Sequence, residues 1–105
     1  MKQLIALAFG LLISISSFAA DPLWIDVRSE AEHRMDNIQG DLNISYEELS
    51  GVIMEYSADK NRPINLYCRS GRRAEVAKNA LEKLGYTNVT NYRTITEARE
   101  ARKKK

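Results

Sequence analysis

The sequence predicts an α/β domain with a mostly parallel central sheet and helices on both faces. Three observations lead there. Short runs rich in β-branched and aromatic residues alternate with stretches of helical periodicity, the order that builds βαβ units. Three helical stretches open on a Ser or Thr followed three residues later by Glu, the pattern of a capping box. The apolar run Ile64-Asn65-Leu66-Tyr67 leads through Cys68-Arg69-Ser70-Gly71-Arg72-Arg73 into a helical pattern. One loop therefore lies at the carboxyl end of a strand, where open α/β sheets place their ligand sites.

The chain begins with Lys2, an apolar run without charge over residues 4–15, and Ser16-Ser17-Phe18-Ala19-Ala20. This order reads as a secretory signal peptide over residues 1–19, and the run is short for a bilayer span. Small side chains at Ser17 and Ala19 place the cut after Ala19, leaving a single domain over residues 20–105. The expected address is the periplasm, with no stable membrane span after processing. Residues 23–27 then form a strand by their β-branched and aromatic content. Ser29 and Glu32 cap a short helix over residues 30–36. A loop over 37–41 carries a glycine turn, and 42–44 form a short strand. Ser45 and Glu48 repeat the capping pattern before a helix to about Tyr56, with Leu49, Val52, Ile53 and Tyr56 on one face.

Residues 57–63 are a polar loop, and 64–67 are the central strand. The next helix, over 73–84, places Ala77, Ala80, Leu81 and Leu84 in one stripe and stops at Gly85. After a turn at 86–88, residues 89–92 form the last strand. Thr94 and Glu97 cap a final helix with a thin apolar face of Ile95, Ala98 and Ala101. Its basic end, Arg102-Lys103-Lys104-Lys105, reads as a solvated, frayed tail.

Composition excludes several classes. A net charge of +2 gives no global drive toward nucleic acid. Neither GxGxxG nor a P-loop is present. The only histidine, His33, argues against a metal site and reads as a helix-surface residue. One cysteine allows no disulfide within the chain. In an exported protein an unpaired thiol is either well buried or kept for chemistry.

The surroundings of Cys68 favour chemistry. A lone Cys at a strand end is often a small buried hydrophobe, but Arg69, Arg72 and Arg73 do not suit an apolar pocket. The unpartnered N–H groups at the start of the following helix attract an anion. They and the guanidinium groups together favour a thiolate. Gly71 permits a turn that a side chain would obstruct. The parts describe a nucleophilic sulfur inside an anion cradle.

Three stretches then resemble the single-domain rhodaneses, the thiosulfate sulfurtransferases, and among them the small exported phage-shock type. Trp24-Ile25-Asp26-Val27-Arg28 is similar to the family's opening strand. Asn37-Ile38-Gln39-Gly40-Asp41-Leu42-Asn43-Ile44 is similar to its "HIxGAxNI" segment, with Asn37 and Asp41 departing from its His and Ala. Tyr67-Cys68-Arg69-Ser70-Gly71-Arg72-Arg73-Ala74 matches its active-site loop. The resemblance implies a rhodanese-like three-layer domain, acting as a monomer without cofactor or metal. It implies Cys68 as the catalytic residue, with Arg69, Ser70, Gly71, Arg72 and Arg73 binding the substrate and Asp26 and Arg28 supporting the loop. Arg69 and Arg72 would steer the anion, and Arg73 would brace the loop, against Asp26. Thiosulfate is the implied donor, and cyanide or a thiol the acceptor. After the last strand the family carries a Gly-Gly turn that shapes one pocket wall, whereas this chain has Asn91-Tyr92-Arg93-Thr94.

Two other readings share the cradle. Related phosphatase-type and arsenate-reductase-like loops are one residue longer than the four that separate Cys68 from Arg73, which gives a wider ring of N–H groups. A non-catalytic module would use the same cradle to hold a partner's anionic group. Intact Cys68 speaks against that second reading.

Overall fold

The computed structural model describes residues 21–103; the expected signal peptide and its cleavage site lie outside them. The elements run β1 (Leu23–Asp26), α1 (Glu30–Met35), β2 (Leu42–Asn43), α2 (Leu49–Tyr56), β3 (Ile64–Cys68), α3 (Arg72–Lys83), β4 (Val89–Thr94) and α4 (Ile95–Lys103). The four strands form one parallel sheet in the order β2-β1-β3-β4. Among the described residues no helix is long and apolar enough to cross a membrane.

Strand β3 is central, and all five of its residues are buried. Its side chains alternate between two apolar layers. Ile64, Leu66 and Cys68 join Ile25, Val27, Leu49, Ile53, Ala77 and Leu81 in the larger core, under α2 and α3. Tyr67 faces the other way and packs with Ile95 and Ala98 of α4, beside Trp24 and Tyr92. Helices therefore cover both faces of the sheet, as the alternation of elements predicts. Cys68 is the last residue of β3 rather than the first of the loop, so its position is set by the strand.

The buried stripes are narrower than their periodicity implies. On α3 they are Ala74, Ala77 and Leu81, while Leu84 is exposed. On α2 they are Leu49 and Ile53, and Tyr56 is exposed. Ser29 and Glu32 form the capping box of α1 in both directions. The similar Ser45–Glu48 pair forms none. The Ser45 carbonyl instead accepts from the N–H groups of both Glu48 and Leu49, each at 3.0 Å. That turn delays the start of α2 to Leu49. Thr94 does cap α4, accepting from the Glu97 N–H at 3.0 Å.

The basic end of the chain is docked as far as Arg102, and Lys103 is exposed. Arg102 donates to Asp41 at 2.7 Å and stacks 4.2 Å above the Trp24 ring. Arg99 donates to Asp36 at 2.6 Å. Asp41, one of the two departures from the family segment, also accepts from the Tyr67 hydroxyl at 2.6 Å. Burial, and then Asp41, push that phenol above its ordinary value. The other departure, Asn37, donates to the His33 carbonyl at 2.9 Å and closes the end of α1.

Candidate active site

The site begins where β3 ends. Cys68 is fully buried, its stem among core side chains, and its Sγ accepts from the Gly71 N–H at 2.9 Å. The turn that aims this N–H back at the sulfur needs Gly71 at φ +94°, a region L side chains rarely occupy. Gly71 also caps α3, its carbonyl accepting from the Glu75 N–H at 3.0 Å. Strand, loop and helix start thus form one continuous support for the sulfur.

The arginines divide into held and exposed. Arg73 turns inward but meets Glu32 of α1, not Asp26. Two parallel bonds of 2.8 and 2.9 Å join the guanidinium to the carboxylate. Arg73, followed by the Ser29 N–H, holds the Glu32 carboxyl well below the usual carboxylate range. The same carboxylate raises the Arg73 value. Arg69 lies 3.9 Å from Glu32 with its side chain 79% exposed, and Arg72 is exposed on the first turn of α3. Ser70, Arg72 and Arg73 line a depression with Tyr46 and Val76.

Asp26 is buried and forms a fork with Arg28, from Nε at 2.9 Å and from Nη2 at 2.8 Å. Arg28 Nη2 also donates to the Asp36 carbonyl at the end of α1. Asp26 has a further partner in His33, whose Nδ1 is 2.9 Å from Oδ2. The histidine is therefore half-buried against a carboxylate, not a free helix-surface residue. Asp26 and Arg28 hold the end of β1 to α1, and none of their hydrogen bonds reaches the cysteine loop.

A cleft of about 670 Å³ opens beside the loop, with Arg28, Glu32 and Met35 on one side and Arg69, Thr94 and Ile95 on the other. Three residues of this surround escape sequence reasoning. Glu32 is legible as a helix cap, but no local signal ties it to Arg73. Asn91 donates from Nδ2 to the Gly71 carbonyl and to Glu75, both at 3.0 Å. Arg93 stands in the stretch where the resemblance expects a Gly-Gly turn, and its φ of +75° lies in the left-handed region that favours glycine.

Comparison with known proteins agrees with this geometry. The family model described as Rhodanese-like domain matches residues 15–94. The thiosulfate sulfurtransferase PspE of Escherichia coli strain K12 is 40% identical over 85 residues, 81% of each chain. A solved structure described as a rhodanese with anions from E. coli superposes with a TM-score of 0.70 at 34% identity, over 73% of this chain and 91% of that one. The human single-domain sulfurtransferase TSTD1 covers 91% of this chain and 92% of its own at 25% identity, with a TM-score of 0.60. Fold, loop and relatives favour a sulfurtransferase over a non-catalytic anion-binding module. The chain is one rhodanese domain, and it belongs to the rhodanese family of sulfurtransferase enzymes.

Proposed function

We propose that this chain moves the sulfane sulfur of thiosulfate to cyanide or a thiol through a persulfide on Cys68. The observation that carries the reading is the 2.9 Å hydrogen bond from Gly71 N–H to Cys68 Sγ, inside a loop four residues long between Cys68 and Arg73. The Cys68 thiolate attacks the outer sulfur of thiosulfate. The S–S bond of the donor breaks, and sulfite leaves with its electron pair. N–H groups from Arg69 to Arg73 hold the negative charge of the persulfide. The acceptor then attacks the terminal sulfur, and Cys68 departs as thiolate. Arg69 and Arg72 steer the dianion, Ser70 and Gly71 shape the cradle, and Arg73 braces it through Glu32. Asp26 and Arg28 act at one remove, by holding α1 against the end of β1. The E. coli rhodanese described with anions supports anion binding by a domain of this fold.

Residues 1–19 act as a signal peptide in this reading, and the enzyme works in the periplasm as a monomer. Amino-terminal sequencing of envelope protein is expected to return Ala20, and recovery of Met1 would exclude processing. Mass spectrometry after thiosulfate treatment tests the chemistry. One added sulfur on Cys68 is expected, and none on Cys68→Ser, which should lose transfer almost completely. Transfer persisting in that variant would overturn the mechanism. Hydrolysis of p-nitrophenyl phosphate in place of sulfur transfer would favour the phosphatase-type reading.

A further inference from the structure

Arg93 is the one residue other than glycine with a positive φ among the described residues. It stands in a bulge: β3 and β4 pair Leu66 with Asn91 and then Cys68 with Thr94, so the register slips between them. Bulges re-aim a side chain and concentrate next to active sites. A Cβ placed on Gly71 would lie 3.2 Å from Arg93 Cβ and 3.4 Å from its Cγ. The stem of Arg93 therefore lies against the same glycine whose N–H holds the Cys68 sulfur. Asn91 fixes this arrangement from both sides. Its Oδ1 accepts from the Arg93 N–H at 2.8 Å, and its Nδ2 donates to the Gly71 carbonyl at 3.0 Å.

The head of Arg93 is left available. Its side chain is 68% exposed, and its one ion-pair partner, Glu97, is 3.5 Å away and itself half-exposed. Arg28 and Arg73, by contrast, are each bound in a two-bond fork to a carboxylate. A guanidinium offers paired donors that match an oxyanion. We propose that Arg93 is a specificity-determining residue that binds the oxyanion portion of the sulfur donor, the part that leaves as sulfite, and that Asn91 positions it there. The proposal rests on the sulfur-transfer reading and names the donor class within it: dianionic donors over those of lower charge.

The test separates binding from transfer. Thiosulfate is titrated calorimetrically into Cys68→Ser, with and without Arg93→Gly. Glycine accepts the left-handed backbone, so this variant keeps the fold, and an unchanged or higher melting temperature confirms that it does. Binding is expected to weaken about threefold to fivefold. Glu97→Gln, which frees the guanidinium, is expected to tighten it, and Arg34→Ala, on the exposed face of α1, to leave it unchanged. In the Cys68 enzyme, Arg93→Gly should raise KM more than it lowers kcat. It should also reduce the preference for thiosulfate over benzenethiosulfonate, a monoanion with the same scissile bond. Equal affinities with and without Arg93, or no measurable binding in the parent, would overturn the proposal. Failure of the wild-type protein to transfer sulfur would strike the sulfur-transfer reading alone, because the titration does not depend on turnover.

Discussion

Gly71→Ala should destabilise the domain by about 2–5 kcal/mol, in two separable parts. The backbone part comes from φ +94°, where an L side chain costs roughly 1–2 kcal/mol. The packing part comes from Arg93. The new methyl would sit 3.2 Å from its Cβ, 3.3 Å from its Cα and 3.4 Å from its Cγ. Forcing a methyl into a filled space costs about 1–3 kcal/mol, and one of these neighbours is backbone. Small domains have roughly 5–15 kcal/mol of stability in all. With a urea slope of about 1 kcal/mol per molar, the midpoint should fall by about 2 M or more. The assay is equilibrium urea unfolding followed by fluorescence of Trp24, the only tryptophan. The packing part is isolated by repeating the substitution on Arg93→Gly, which deletes the side-chain carbons facing the new methyl and leaves the backbone neighbour in place. There the cost should shrink by about 1 kcal/mol. A Gly71→Ala protein within about 0.5 kcal/mol of the parent would refute the backbone argument, and an equal cost in both backgrounds would refute the packing of Arg93 against Gly71.

Three further outcomes follow from the ion pairs. The Glu32 carboxyl is lowered in the folded state by Arg73 first, so its contribution is complete above the ordinary carboxylate value and is lost as pH falls through the folded one. Stability measured by urea titration should therefore decline below about pH 5, and Glu32→Gln should flatten that limb while costing about 1 kcal/mol near neutrality. Arg102→Ala leaves Asp41, 3% exposed, without its guanidinium, and should cost about 2 kcal/mol with faster amide exchange along α4. Arg69→Ala or Arg72→Ala should raise the thiosulfate KM several-fold, about 1 kcal/mol, with a smaller change in kcat.

The elements that were legible in the sequence are those decided locally. The mostly apolar approach to Cys68, the glycine at the helix start and the Ser29–Glu32 box each rest on residues within a few positions of one another. The Ser45–Glu48 pair shows where that ends. It has the same spacing as Ser29–Glu32, yet the backbone of Ser45 satisfies the N–H groups its side chain would have capped. Charge partners were not legible, because they are chosen across the fold. Arg73 and Glu32 are 41 positions apart, and Arg102 and Asp41 are 61 apart. Asp26 is the local exception, since it pairs with Arg28 two positions on and with His33 of the next helix, not with Arg73. The absent Gly-Gly turn was visible as a departure. That Arg93 would take up a left-handed backbone there was not, because Asn91, which accepts from its N–H, has no motif of its own.

The two halves of the site are held by different forces, and this bears on what each can do. The cysteine loop is anchored through β3 and α3, whose buried Leu66, Ala74, Ala77 and Leu81 belong to the main core. Helix α1, which forms the opposite wall of the cleft, has six residues and none of them is buried. Its attachments are the Glu32–Arg73 fork, the His33–Asp26 pair, the bond from Arg28 to the Asp36 carbonyl and the Arg99–Asp36 pair. Salt does not screen apolar burial, while it weakens ion pairs, partly buried ones less than exposed ones. The wall formed by α1 is therefore the more salt-sensitive half, and the cysteine loop the less. The fork also consumes Arg73's charge. Arg28 is held by Asp26 in the same way, whereas Arg69, Arg72 and Arg93 are exposed and held in no fork. In the proposed mechanism the bracing and the substrate-binding arginines are thus separated by the presence of a fork, not by their distance in sequence from the cysteine.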